Sequence, residues 1–513
     1  MFRTLLVIVV LLISPPVDSA EGDHPAELSE LIDLQIQTRL DAENVQRSPV
    51  AEDATFLRRV FLDLHGVVPP SARTAQFLDD PDPEKRTRLI DELLASRRYG
   101  QHFGDIWRSY LISSLANEQR MQTDRFTDWL ARRFHDNDGW DQIVTDLVTA
   151  KGTLEENPAV AYLIEGRYPL SVTDLADLSS RYFLGIRLNC AQCHDHPFAE
   201  WKQQDYWGVA AFFTEIQTPG RPKTVYRFGV VDDPRISLTS LHETDMLEGF
   251  QSRPPTFPGA EEWKGPSETT RRQAFAQWMT SAENPFFARA MVNRMWWHFF
   301  GRGLVNPVDD MHSGHSPSHP ELLEQLSERF VRSGFDLKFL CRGILNSRTY
   351  QQSSRSRAQP DGQAELFALM SVKVLTAEQL YDSLVEILGP PGKASGIDTR
   401  LGARNEFSQF FAGDGDPDPT GYERGIPHAL RSMNSPQFAG RNLQVLVSRV
   451  KGSARSADET IEELFLTILS RRPTPQEQLL AREHLQAVEG SPETAYRELA
   501  WALLMSTEFV LNH

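Results

Sequence analysis

Two cysteines three positions apart, followed directly by a histidine, form the segment Cys190-Ala-Gln-Cys193-His194. Thiols at this spacing can each bond covalently to one edge of a haem, and the adjacent imidazole can then ligate the iron from one side. That is the pattern of c-type haem attachment. The chain holds only three cysteines, so two of them in this spacing beside a histidine argue against coincidence. The same residues admit two other readings. Cys190, Cys193, His194 and His196 offer thiolate and imidazole donors that suit zinc, copper or iron, although so short a segment makes a cramped shell. Cys190 and Cys193 can also close a disulfide in an oxidising compartment, with Asp195, His196, Pro197 and Phe198 simply turning the chain.

A haem held here needs a distal ligand or an open position. Met291, Met295 and His298 are candidates, but Phe287, Met291, Met295 and Phe299 repeat every four residues and read as a packed helical stripe. His196 stands too near His194 to reach the opposite haem face and suits a propionate or outer contact. Cys341, among Leu337, Leu340 and Ile344, reads as a buried free thiol.

Two further groups carry chemistry-bearing side chains. Asp309, Asp310, His312, His315 and His319 share a loop rich in Ser, Gly and Pro, where acid and imidazole can bind a metal or move protons. Helix capping by Ser318-His-Pro-Glu321 accounts for His319 without such a role. Asp414, Asp416 and Asp418 alternate as in a calcium loop, but Pro419 takes the place of the required Gly and Gly425 the place of the last Glu. An acidic turn is expected there. The sequence contains no Gly-x-Ser-x-Gly, no His-Glu-x-x-His and no phosphate-binding glycine loop.

The elements that must position these residues are mostly helical by pattern. Arg3 followed by the apolar run Leu5 to Ile13 reads as a secretory signal, with cleavage after Ser19 or Ala20, so residues 1–20 are expected to be removed and the chain exported to a periplasmic or extracellular space. No later segment approaches the ~20 apolar residues of a membrane span. With 53 basic and 70 acidic residues, the net charge of -17 argues against nucleic-acid and anionic-membrane partners. A basic redox partner remains compatible with it. Residues 21–50 read as a polar lead-in.

A helix is expected from Asp53 to Gly66, and another through Leu89 and Leu94 with Gly100 as its stop. A third, through Leu175 and Tyr182, ends near Gly185, and Asp205 is expected to cap a fourth. Pro, Gly and Asp mark residues 217–265 as a connection with one small hairpin. Beyond it, Asn284-Pro285 opens a helix to Gly301, and Ser318 to Glu321 and Thr474 to Glu477 read as capping boxes. The expected fold is mainly α: a helical domain over 51–216, a small irregular or β-hairpin connection over 217–265, and a second helical domain over 266–513.

These landmarks together resemble a known family. Phe183-Leu-Gly, Cys190-Ala-Gln-Cys-His-Asp-His-Pro-Phe198, Asp205-Tyr-Trp and Ala211-Phe-Phe213 resemble the planctomycete cytochrome-type domain of unknown function, and Phe56-Leu-Arg-Arg-Val-Phe-Leu-Asp-Leu-His-Gly-Val-Val-Pro-Pro70 is similar to its opening. Asn284-Pro-Phe-Phe-Ala-Arg289, Val292-Asn-Arg-Met-Trp296, Phe300-Gly-Arg-Gly-Leu304, Ser318-His-Pro-Glu-Leu-Leu323, Gly334-Phe-Asp-Leu-Lys338 and Ser347-Arg-Thr-Tyr-Gln351 resemble the domain of unknown function that usually follows it. The resemblance implies export and a cytochrome-type motif at Cys190, Cys193 and His194. It implies no catalytic activity. The expectation is an exported haem-c-type protein that carries electrons or supports an oxidation outside the cytoplasm. The alternative is a non-catalytic binding or assembly protein, with a Cys190–Cys193 disulfide or a haem-free metal site.

Overall fold

Apolar residues spaced three and four apart set most of the helices. The structure, a computed structural model, describes residues 24–112, 123–164, 171–217, 229–233, 254–260, 262–265, 268–355, 364–389, 404, 407, 441–454, 456–488 and 491–513. The expected leader and the loop of Asp414, Asp416 and Asp418 lie outside the described residues. The fold is mainly α, with sheets of two and three short strands only among the described residues. None of the described helices is long and apolar enough to cross a membrane.

Helix Asp53–His65 buries Phe56, Leu57, Val60, Phe61 and Leu64, and Gly66 closes it in the left-handed region at φ 69°. Helix Lys85–Ala95 turns Leu89, Ile90, Leu93 and Leu94 inward. It ends at Ser96, whose hydroxyl accepts the Arg98 N–H and starts the helix Arg97–Leu111. Gly100 is therefore inside a helix and is not the expected stop. The reason is space: a Cβ there would lie 2.2 Å from the Ala131 carbonyl oxygen, and one at Gly104 would lie 2.9 Å from the Ala131 nitrogen. The two glycines let Arg97–Leu111 cross the helix Thr123–Asp136 at backbone contact.

The 21–50 stretch is more than a polar lead-in. It carries the helix Pro25–Ala42, which buries Leu28, Ile32, Ile36 and Leu40. Leu28 sits so close to the helix Leu337–Asn346 that a Cβ on Gly343 would meet its Cδ2 at 2.4 Å. The connecting segment supplies the strand Gly229–Asp232, which pairs antiparallel with Gly152–Thr153 on one side and Ile216–Gln217 on the other.

Helix starts in the second half follow the expected chemistry in part. Thr474 and Glu477 form their reciprocal capping box. Asn284 accepts the Phe286 and Phe287 N–H groups, so the helix begins at Phe287 instead of Pro285, and it ends at Gly301. The Ser318–Glu321 box does not form. Pro320 takes the first helical position, His319 becomes the cap residue, and Ser318 donates both its N–H and its hydroxyl to the Leu304 carbonyl.

Two apolar clusters make the core. The larger runs from Leu28 to Met370 and draws on both sides of the connecting segment. The smaller runs from Leu375 to Phe509 and takes Leu62 from the Asp53–His65 helix and Val68 from the turn that follows it. Buried charges on that helix join the two. The Asp63 carboxylate accepts from Lys373 Nζ (2.6 Å), Asn512 Nδ2 (2.7 Å) and Tyr350 Oη (2.8 Å). Arg58 donates to the Phe509 carbonyl at 2.6 Å and Arg59 to the Tyr350 carbonyl at 2.5 Å. Buried ions are tolerated only when partnered in this way.

Candidate functional site

Cys190 lies in a 3-10 turn, Asn189–Gln192, and Cys193 closes it. The turn brings the two cysteines to either end of one short 3-10 segment. Both are free and exposed. The turn is set from both ends. Upstream, Gly185 at φ 66° ends the π-turn Ser179–Phe183, and Leu188 and Ala191 are fully buried. Downstream, the helix Gln203–Ala211 holds the motif by its backbone. Gln203 Nε2 donates to the Gln192 and Cys193 carbonyls (both 3.2 Å), Trp207 Nε1 to the Gln192 carbonyl (3.1 Å), and the Gln203 N–H to Asp195 Oδ1 (2.9 Å). Asp205 sits in the first turn of this helix and accepts the Lys202 N–H at 2.8 Å; it is not the cap residue itself.

His194 is exposed, with Nδ1 2.7 Å from the Asp195 carbonyl oxygen. A carbonyl only accepts, so Nδ1 carries the proton and the lone pair stands on Nε2, the arrangement that readies an imidazole to ligate. Two exposed thiols in one short turn and an adjacent imidazole whose Nδ1 is engaged are compatible with covalent haem attachment and axial ligation. Cys190, Cys193, His194 and His196 do not bring three donor atoms within 4.8 Å of one another among the described residues, so the haem-free metal site is not preformed there. His196 differs: its Nδ1 accepts from the Phe198 (3.2 Å) and Ala199 (2.9 Å) N–H groups, so this ring braces its own loop. Phe198 beside it is 84% exposed.

The distal candidates are packed in the core. Met291 and Met295 are buried. His298 donates from Nε2 to the Asp63 carbonyl at 2.8 Å, and burial pushes its pKa below the ordinary imidazole value. Cys341 is buried against Tyr99 as expected, with burial pushing its thiol up to about 12.

The Asp309–His319 loop comes to the same place as the cysteine motif. Asp309 is not free for chemistry: Arg181 and Arg187 both hold its carboxylate. Burial would raise its pKa, but these guanidiniums and Arg294 outweigh that and hold it below the usual carboxylate range. Asp310, His312 and His315 group together, each offering a donor atom, all within 4.8 Å of one another. His312 Nε2 lies 3.9 Å and His315 Nδ1 3.5 Å from Asp310 Oδ2, and the two rings are 4.0 Å apart between centroids. His319 stands apart as a buried ring against Phe367, with burial pushing its pKa down to about 4.

The His312 ring faces the His196 ring at 6.2 Å, and Ser313 Oγ donates to Glu200 Oε2 at 2.9 Å. Glu200 went unremarked in the sequence. Partial burial acts to raise its pKa, yet its hydrogen bonds and the nearby His312 hold it below the ordinary value.

Comparison with known families divides the chain in the same order. Residues 31–218 match the PSCyt2 family model, described as a protein of unknown function (DUF1549). Residues 271–404 match the PSD1 family model, likewise described as a protein of unknown function (DUF1553). No curated protein and no solved structure matches the chain. The name PSCyt2 points to a cytochrome-like domain and no further.

Proposed function

Starting from a chain that carries a PSCyt2 domain followed by a PSD1 domain, we propose an exported haem-c-type protein that carries electrons or supports an oxidation outside the cytoplasm. Cys190 and Cys193 would hold the haem as thioethers, and His194 would ligate through Nε2. When bound, the haem supplies one-electron exchange. The chain's own part is positional. Asp195 fixes the His194 tautomer through its carbonyl, and Gln203 and Trp207 hold the turn from behind. The observation that carries this reading is the pairing of two free, exposed thiols three residues apart with an adjacent imidazole whose lone pair stands on Nε2. The apolar leader at residues 5–13 supports export, which in turn supplies the compartment for attachment.

A second reading, a binding or assembly protein with a Cys190–Cys193 disulfide, rests on the same two free, exposed cysteines three residues apart. Replacing both residues by Ser separates the two. Under the haem reading, Cys190→Ser/Cys193→Ser abolishes covalently bound haem in exported protein. A wild-type chain that leaves the cell without haem and two mass units below its reduced mass favours the disulfide.

A further inference from the structure

We infer that Asp310, His312 and His315 form a site for one divalent transition-metal ion, separate from the cysteine motif and walled by the loop that follows it. Three donors from two imidazoles and one carboxylate suit a borderline metal such as zinc. Metal–ligand bonds of about 2.0–2.2 Å in a tetrahedron put neighbouring donor atoms roughly 3.4 Å apart. His312 Nε2 stands 3.9 Å from Asp310 Oδ2, near that spacing, and one donor atom from each of the three residues lies within 4.8 Å of the others.

The loop is held for this task. Asp309 is locked by Arg181 and Arg187, and the Met311 N–H bonds to the Gly185 carbonyl at 2.8 Å, so the residues on both sides of Asp310 are fixed. His315 donates from Nδ1 to the Asp310 carbonyl at 2.8 Å, which orients the ring and leaves its lone pair on Nε2. His312 accepts the Gly314 N–H at Nδ1 (3.0 Å) and must release it to ligate through Nε2. One neutral hydrogen bond is a small loss against a new set of metal bonds. Asp310 and His312 are largely buried while His315 is about one-third exposed (32%), so the group is closed behind and open in front, leaving a coordination position to water or ligand. Glu200, tied to Ser313, supplies a second carboxylate beside His312.

The site does not depend on haem, and its test is read apart from haem. Zinc uptake by the full chain is measured by equilibrium dialysis with elemental analysis, on wild type, Cys190→Ser/Cys193→Ser, His315→Gln and Asp310→Asn. The expected result is one zinc per chain, retained without the cysteines and weakened at least tenfold in both His315→Gln and Asp310→Asn. Far-ultraviolet circular dichroism of each variant checks that it is folded. Cobalt in the double Ser variant should give ligand-field absorption without a thiolate charge-transfer band. No zinc uptake by wild type overturns the inference, and so does uptake that vanishes with the cysteines but survives His315→Gln.

Discussion

The backbone N–H of Met311 donates to the carbonyl of Gly185 at 2.8 Å, tying the loop of His312 and His315 to the turn that leads into Cys190. Only glycine suits this position. Its φ is +66°, and a Cβ would meet Met311 Cε at 2.5 Å and Ala290 Cβ at 3.0 Å. Gly185→Ala should therefore cost about 1–3 kcal/mol from the backbone conformation and the clash together, and should weaken zinc binding at Asp310. Urea unfolding and zinc dialysis measure the two effects. A variant equal to wild type in both would show that the contact positions nothing.

Asp63 is the hinge of the two cores, and Lys373 is its ionic partner at 2.6 Å. Lys373→Met leaves the carboxylate with only the neutral donors Tyr350 and Asn512. Removing one partner of a buried pair costs about 3–5 kcal/mol. Asp63→Asn together with Lys373→Met should recover part of that loss, since no charge is then stranded. Denaturant midpoints test this, and a single-variant loss below about 1 kcal/mol would mean that water reaches the pair.

His319 predicts a pH effect with a definite sign. Burial lowers its folded pKa to about 4, below the roughly 6.5 of an unfolded histidine. Unfolding therefore takes up a proton between these values. The stability from the neutral buried ring is complete above about 6.5 and is lost as pH falls toward about 4. In that window this residue contributes a slope of about 1.4 kcal/mol per pH unit. His319→Gln should flatten the stability–pH curve by about one proton. Parallel curves for wild type and variant would refute it.

What the sequence made legible was local chemistry. The Cys190–His194 spacing, the Gly66 and Gly301 helix ends and the Thr474–Glu477 box are each decided within a few residues. What it hid was decided by distant partners. Gly100 looks like a helix stop until Ala131 is seen against it. The Pro25–Ala42 helix spaces its apolar residues by four among charged ones, and its role appears only once Leu337–Asn346 lies beside it. Ser318 left its capping box because its N–H, which Glu321 would have accepted, goes to the Leu304 carbonyl, and His319 takes the cap position. For the site, the motif and the His312 loop were each visible, but their meeting at His196 and Glu200 is a tertiary contact no spacing announces.

The most direct test of the central proposal is the intact mass and pyridine haemochrome spectrum of the full chain, exported from a host with haem-attachment machinery. The account predicts a c-type spectrum and a mass gain of one haem, both lost in Cys190→Ser/Cys193→Ser. Exported wild type of unmodified mass with no haemochrome would contradict it.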